Sequence, residues 1–366
     1  MAKLPEPLHS TVRKIYALHE QRSDRPPRPH LGGSEIGHPC SRYLWLTFRW
    51  AEEAAFEGRM LRLFETGVRE EARLLDELRA IGLTVSDRDE DGRQWSFSAC
   101  GGHFGASLDA AIQGLEEAPK TWHVFEAKTH NAKSFADLKA KGVQVSKPQH
   151  WAQCQVYMGL SGMDRAAYFA VGKDTDEIYF ERIHFDKAEH EKLIARAQSI
   201  IDAAEPPPRI SEDPAWYQCK FCRFAPQCHS DAAPLPNCRT CAHVSIAPEG
   251  AWHCELTAAG LDTEFQRLGC ESHVYIPRLI ERFAELESVD GEEVVWRNKL
   301  TGRTFKQPEY RSREVRAAKD KRLLGEEGVD TFKGVFGPVR IVNMPPAAPS
   351  VRPDPEFADD LPWMAA

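Results

Sequence analysis

Apolar positions in residues 56–81 recur at helical spacing. Phe64, Val68, Leu75 and Leu78 stand four, seven and three apart, which predicts one long amphipathic helix. Glu71 lies on that stripe, three after Val68 and four before Leu75, while Glu70 is turned about 100° away. A carboxylate on a buried face needs a partner, and a metal ion would serve; at a helix edge the same side chain simply reaches solvent. The pattern then shifts to period two. In 103–112, Phe104, Ala106, Leu108, Ala110 and Ile112 share one strand face, and Ser107 and Asp109 take the other. A second strand is expected at 122–129, where Glu126 and Lys128 point the same way, with Gly114 and Pro119 in the hairpin connection between the two.

Downstream, 148–160 reads as a helix with Pro148 in its first turn, placing Gln149, Gln153 and Tyr157 on one face. Residues 165–171 suit a central strand, 178–185 another, and 187–204 a further amphipathic helix ended by Pro206, Pro207 and Pro208. Strands and helices in this order imply an α/β core with a mixed sheet.

Composition narrows the classes. The chain has 366 residues, enough for two or three domains, with 42% hydrophobic and 28% charged residues. No apolar run approaches the roughly 18 residues of a membrane span, and the N-terminal residues lack a secretory pattern. A soluble, cytoplasmic protein with no membrane partner is therefore expected, in a bacterial host cell if the family resemblance below holds. The net charge of −8 argues against a protein that coats nucleic acid over its whole surface, although a local basic track is compatible with it.

Seven of the ten cysteines lie between 219 and 270. Two C-x2-C pairs in that stretch let thiolates converge on a metal from tight turns. Cys238, Cys241, Cys254 and Cys270 form a complete four-thiolate set, for which structural Zn²⁺ is the natural occupant; His243, His253 and His273 are substitutes if Cys270 is not a ligand. Cys219, Cys222 and Cys228 need a fourth ligand, and Cys40 is the candidate. Spacing leaves zinc and a 4Fe–4S cluster both open there. Cys100 and Cys154 read as small buried residues.

Asp109 and Glu126 supply oxygen ligands suited to Mg²⁺ or Mn²⁺, Glu71 completes the set from the helix, and Lys128 offsets charge on a reacting phosphate. The same text also describes a salt bridge on an edge strand.

Taken in register, these pieces resemble the PD-(D/E)XK nuclease superfamily, in particular the RecB-type exonucleases that carry an iron–sulfur cluster, among them the CRISPR-associated and AddB-type nucleases. The resemblance covers about residues 31–230. It rests on Cys40 with Arg42, Gly67 to Glu71, Gly105 to Asp109, Glu126-Ala127-Lys128, Gln153 to Tyr157, and Cys219-x2-Cys222-x5-Cys228. It implies a restriction-endonuclease-like core and a structural 4Fe–4S cluster on Cys40, Cys219, Cys222 and Cys228. It further implies a catalytic metal on Asp109, Glu126 and the Ala127 carbonyl, with Gln153 and Tyr157 positioning DNA. Many relatives have His where this chain has Glu71. The arrangement looks like a phage or prophage nuclease.

The expected division is an irregular lead-in over 1–30, the nuclease domain over 31–230, a zinc module over 231–288, a basic region over 289–341 and a disordered acidic tail over 342–366. Lys128, Lys133, Lys139, Lys141 and Lys147 face a single acid, Asp137, in a stretch that would track phosphates or form a solvated loop. Residues 296–340 hold 12 Lys or Arg against 6 Asp or Glu, with Trp296, Phe305 and Tyr310 interleaved. That mix suits single-stranded nucleic acid or an ordinary small domain. The end, Asp354 to Trp363, resembles the acidic tail of single-stranded DNA-binding proteins and is a candidate dock for recombination or single-strand-binding proteins, although a solvating tail has the same composition. The expected function is a metal-dependent DNA exonuclease in recombination, repair or phage DNA processing. The alternative is a nucleic-acid-binding module with an inactive nuclease core.

Overall fold

The computed structural model describes residues 9–23, 26–291, 293–307 and 309–326. The acidic tail and the last part of the basic region lie outside them. In chain order the first part holds α1 (Ser10–Arg22), β1 (Leu31–Gly32), α2 (Ser41–Phe48), α3 (Gly58–Ala80), β2 (Thr84–Ser86), β3 (Ser96–Ala99), β4 (Phe104–Ser107), β5 (Ala110–Gln113) and β6 (His123–His130). Then come α4 (Ala132–Ser146), α5 (Pro148–Ser161), β7 (Arg165–Gly172), β8 (Ile178–His184) and α6 (Lys187–Asp202).

The central sheet runs β2-β5-β6-β7-β8. Only β6 and β7 pair in parallel, joined through α4 and α5, and the other pairs are antiparallel. The sheet is mixed, as the alternation of elements requires. Strand pleating sends alternate residues of β6 to opposite faces. Val124 enters the core shared with α2, α5 and α6, while Phe125 and Ala127 pack toward Leu74, Leu75 and Leu78 of α3. Glu126 and Lys128 fall in phase with Val124, on the α5 side.

The strand expected over 103–112 is in fact two strands in two sheets. β4 belongs to a small sheet ordered β1-β4-β3, and β5 to the central one. The Leu108 N–H donates to the Trp95 carbonyl at 2.9 Å, turning the chain between them. Phe104, Ala106 and Leu108 therefore enter the first core and Ala110 and Ile112 the second, so one alternating pattern serves two cores. Asp109 sits at this junction.

The helical stripe is also read correctly but covered unevenly. Leu75 and Leu78 are buried, whereas Val68 is 61% exposed. The stripe continues past the edge of the core, so Val68 meets solvent. The lysine-rich stretch runs from the end of β6 through helix α4 to the start of α5 and is no loop. Lys139 pairs with Glu177 at 2.8 Å and Lys141 with Asp137 at 2.6 Å, so the sequence overstated its free positive charge.

The Cys-rich part contains α7 (Tyr217–Lys220), α8 (Ala225–His229), a three-stranded sheet of β9 (Val244–Ile246), β10 (Trp252–Cys254) and β11 (Ala259–Leu261), and α9 (Thr263–Leu268). β12 (Ala284–Asp290), β13 (Glu293–Asn298), β14 (Thr304–Gln307) and α10 (Ser312–Ala317) follow. Trp296 and Phe305 are buried in a third, separate core with Tyr310 packed on it. They hold a small folded unit together and are not available to stack on bases.

Arg239, only 1% exposed, joins the Cys-rich part to the core. Its guanidinium lies 3.6 Å from the Trp50 ring centroid and 4.5 Å from that of Trp252, and it donates to the carbonyls of Phe48 and Pro29 and to Gln266. Trp252 itself packs against Phe48 and His103 in the first core. Trp252→Ala should cost about 3–5 kcal/mol, seen as a lower urea midpoint with an unchanged slope. An unshifted midpoint would contradict this packing.

Candidate active site

The site is built on β6. Glu126 is fully buried (0% exposed) and its two oxygens are separately engaged. Lys128, two residues along the same face, donates to Oε1, and the Gln153 side-chain amide from α5 donates to Oε2 at 2.7 Å. A buried carboxylate is expensive unless its lone pairs are met, and this pair of donors meets them. Asp109 approaches from the β4–β5 junction and Glu71 from α3.

The electrostatics follow from crowding like charges in a partly dry space. Asp109 is pushed up to about 8, first by burial and then by the Glu126 and Glu71 carboxylates. Glu71 is raised for the same reasons, burial before the charge of Glu126. For Lys128, burial pulls downward, but the Glu126 carboxylate and then Asp109 outweigh it, so the ammonium is held above its ordinary value. One ammonium thus serves three carboxyl groups, two of which are pushed toward their neutral forms, and among the described residues no three of them are gathered tightly enough to hold a metal ion as they stand.

Tyr157 hydrogen-bonds Gln153, and its phenol is raised by burial and by Glu126 and Asp109, so it stays protonated. Gly33 packs against it: a Cβ there would come within 3.2 Å of the Tyr157 ring. The sequence-predicted residues Glu71, Asp109, Glu126, Lys128, Gln153 and Tyr157 are therefore brought together. Ala127 lies between Glu126 and Lys128, its side chain turned to the α3 layer.

Three flanking residues escaped sequence reasoning. The Tyr168 hydroxyl bridges His150 Nδ1 at 2.7 Å and His130 Nε2 at 3.2 Å, and His130 also meets Ser134 at 3.1 Å. Burial lowers His150 to about 3 and His130 to about 4, helped by Lys128 and Lys147, so both are neutral imidazoles. His130 continues the Glu126–Lys128 face, which the period-two pattern contained; the partners on α5 and β7 had no local signal.

The cysteines fall into the two groups expected. Cys40, Cys219, Cys222 and Cys228 line one small cavity, and Cys238, Cys241, Cys254 and Cys270 another. Burial, then neighbouring sulfurs, raises Cys238 to about 12. Burial is also the largest cause raising Cys241, to about 11. Cys222 is raised by burial and then by Cys228, Cys40 and Cys219. Among the described residues, however, no group of three or more His, Cys, Asp or Glu is gathered tightly enough to hold a metal ion as it stands. The cavities bring each set of thiols together without forming a closed ligand shell. Of the substitutes for Cys270, His273 hydrogen-bonds Thr240 and Ser312, and His253 lies 3.4 Å from Glu255.

No family model and no curated protein matches the sequence. Among solved structures, the chain is similar to the crystal structure of SSO0001 over 59% of its own length and 94% of that chain, with 15% identity and a TM-score of 0.36. LHK-Exo in complex with dAMP matches 51% of this chain and 89% of its own, with 13% identity and a TM-score of 0.34. The alkaline exonuclease (LHK-Exo) from Laribacter hongkongensis matches the same shares at 16% identity and 0.29. These are remote likenesses.

The raised Asp109 has a consequence for stability. Its contribution is complete below the ordinary value of 3.8 and is lost as pH rises through about 8. Metal-free wild type should lose stability across that window more steeply than Asp109→Asn, in denaturant melts at pH 5 and pH 8. Parallel behaviour of the two proteins would contradict the crowded carboxylate site.

Proposed function

We propose that the chain is a divalent-metal-dependent deoxyribonuclease, acting as an exonuclease on single-stranded or free-ended DNA in recombination, repair or phage DNA processing. The observation that carries this reading is the convergence of Glu71, Asp109 and Glu126 around Lys128, with Glu126 paired and Asp109 and Glu71 pushed up by burial and then by neighbouring carboxylate charge. Mg²⁺ or Mn²⁺ on Asp109, Glu126 and the Ala127 carbonyl, with Glu71 as a further ligand, would polarise the phosphodiester and supply hydroxide from bound water.

The chain's own residues perform the rest. Gln153 fixes one oxygen of Glu126, so the carboxylate keeps a single orientation. Lys128 stays cationic because Glu126 and Asp109 hold its proton, and it offsets charge building on the phosphate. Tyr157 keeps its hydroxyl proton and can donate to a phosphate oxygen. The neutral pair His130 and His150 adds no positive charge that would compete for the carboxylates.

In this reading Cys40, Cys219, Cys222 and Cys228 hold a structural 4Fe–4S cluster that ties α2 to the segment after α6. Cys238, Cys241, Cys254 and Cys270 hold structural Zn²⁺. What supports both assignments is that each set of four thiols lines one small cavity. A cluster bridging Cys40 and Cys219 closes a long loop, where a crosslink restrains the unfolded chain most. The nuclease domain over 31–230, the zinc module over 231–288 and a cytoplasmic location belong to the same proposal, as does partner docking through the C-terminal tail.

The test is digestion of end-labelled linear and circular DNA, single- and double-stranded, with Mg²⁺ or Mn²⁺. Glu126→Gln and Lys128→Ala should each lower cleavage by about 10²-fold or more, and circles should be spared. Iron, sulfide and zinc analysis of anaerobically purified protein checks the cysteine sites. A metal-loaded wild type that binds DNA but cuts nothing would leave a nucleic-acid-binding module with an inert core.

A further inference from the structure

We infer that the cleft between α1 and α3 is a second nucleic-acid contact, a track for the phosphodiester backbone of the strand whose end enters the active site. The identity of the ligand rests on the nuclease reading; the cleft itself does not. It encloses about 470 Å³, and its walls carry His19, Arg22, Arg62, Glu65 and Arg69. Three guanidiniums face one carboxylate there, in a chain with a net charge of −8.

The pairing inside the cleft is uneven. Glu65 is taken by Arg69 and lies 3.5 Å from His19. Arg22 and Arg62 have no ion-pair partner among the described residues, and both side chains are exposed. Guanidiniums are the preferred partners of phosphate because their planar fork donates two parallel hydrogen bonds. Two such groups, unpaired among the described residues and on opposite walls of a cleft, match a strand's repeating charge better than a single compact anion.

The walls are held in place. Gly58 lets α1 approach closely, since a Cβ there would overlap the Tyr16 carbonyl. Glu20 on α1 accepts from the Gly58 N–H at 2.6 Å and fixes the start of α3. The cleft thus has a defined width set by one glycine and one carboxylate cap.

Its position separates it from the catalytic site yet connects the two. At about 100° per residue, Arg62 and Arg69 lie on the face of α3 opposite Glu71. The cleft and the carboxylates therefore lie on opposite sides of α3, a helix diameter of roughly 10–12 Å across and, from Arg62 to Glu71, about 13.5 Å along the axis. A strand leaving the site around α3 reaches the arginines within a few nucleotides.

The experiment measures binding of an end-labelled single-stranded oligonucleotide without added divalent metal, across a salt series, with cleavage assayed separately. Each phosphate contact contributes about 0.7 to the slope of log K against log salt. The Arg22→Glu/Arg62→Glu protein should therefore bind about tenfold or more weakly at low salt, with the slope reduced by about 1.4. Arg22→Lys/Arg62→Lys should retain most of the affinity. A folded reversal variant with wild-type affinity and slope would overturn the track, as would a wild type that binds no strand. If wild type cuts DNA while the reversal variant binds unchanged, the track alone falls. If wild type binds with the larger slope but cuts nothing, the nuclease reading falls and the track stands.

Discussion

A carboxylate with no solvent at all sits in the middle of the central sheet, and the arrangement around it answers to that one cost. Glu126 on β6 is flanked by β5 and β7, so water cannot satisfy it, and the protein must. One oxygen takes Lys128 and the other Gln153. Lys128 is available because strand pleating returns every second residue to the same face. Gln153 is available because α5 crosses that face with Pro148 in its first turn. Asp109 and Glu71 then add carboxyl groups that no further cation among the described residues meets, and both are pushed toward the neutral form. A structural ion pair needs only Glu126 and Lys128; the surplus of carboxyl groups is what the proposed function rests on.

A second constraint holds the Cys-rich part against this core. Arg239 stands between Cys238 and Cys241 yet is buried among Trp50, Trp252 and Phe48, with carbonyls and an amide as its acceptors. Arg49 nearby donates to the Arg239 and Ala203 carbonyls. Neither guanidinium has a carboxylate partner among the described residues, and burial lowers the pKa of both. A removed acceptor would leave buried charge unmet, so this seam tolerates little movement. Pro29 is one of those acceptors, four residues before Gly33, which packs on Tyr157. The cysteine-bearing segment and the carboxylate pocket thus share a closely packed boundary.

Where sequence reasoning fell short, the cause was what covered a face. Val68 has the right phase for burial, but no core lies beneath that turn of α3. The lysines of α4 looked unpaired because Glu177, on the far side of β7, is remote in sequence from Lys139. Trp296 and Phe305 had the composition of a stacking surface and became a core once β12, β13 and β14 paired.

The sequence by itself determined the mixed α/β class, α3, β6, α5, β7, β8 and α6 in their order, the shared face of Glu126 and Lys128, and the two groups of cysteines. Each depends on spacing within a few residues, which helix and strand periods translate directly into direction. It missed helix α1 inside the expected irregular lead-in over 1–30, helix α4, and the break between β4 and β5. Tertiary structure alone decided that Asp109 stands where the chain leaves one sheet for another. It also decided that Tyr168 bridges His130 and His150, that Arg239 seals a seam with residues about 190 positions away, and that α1 and α3 enclose an arginine-lined cleft. Those juxtapositions depend on which distant segments pack together, and local periodicity fixes a side chain's direction without fixing what it will meet.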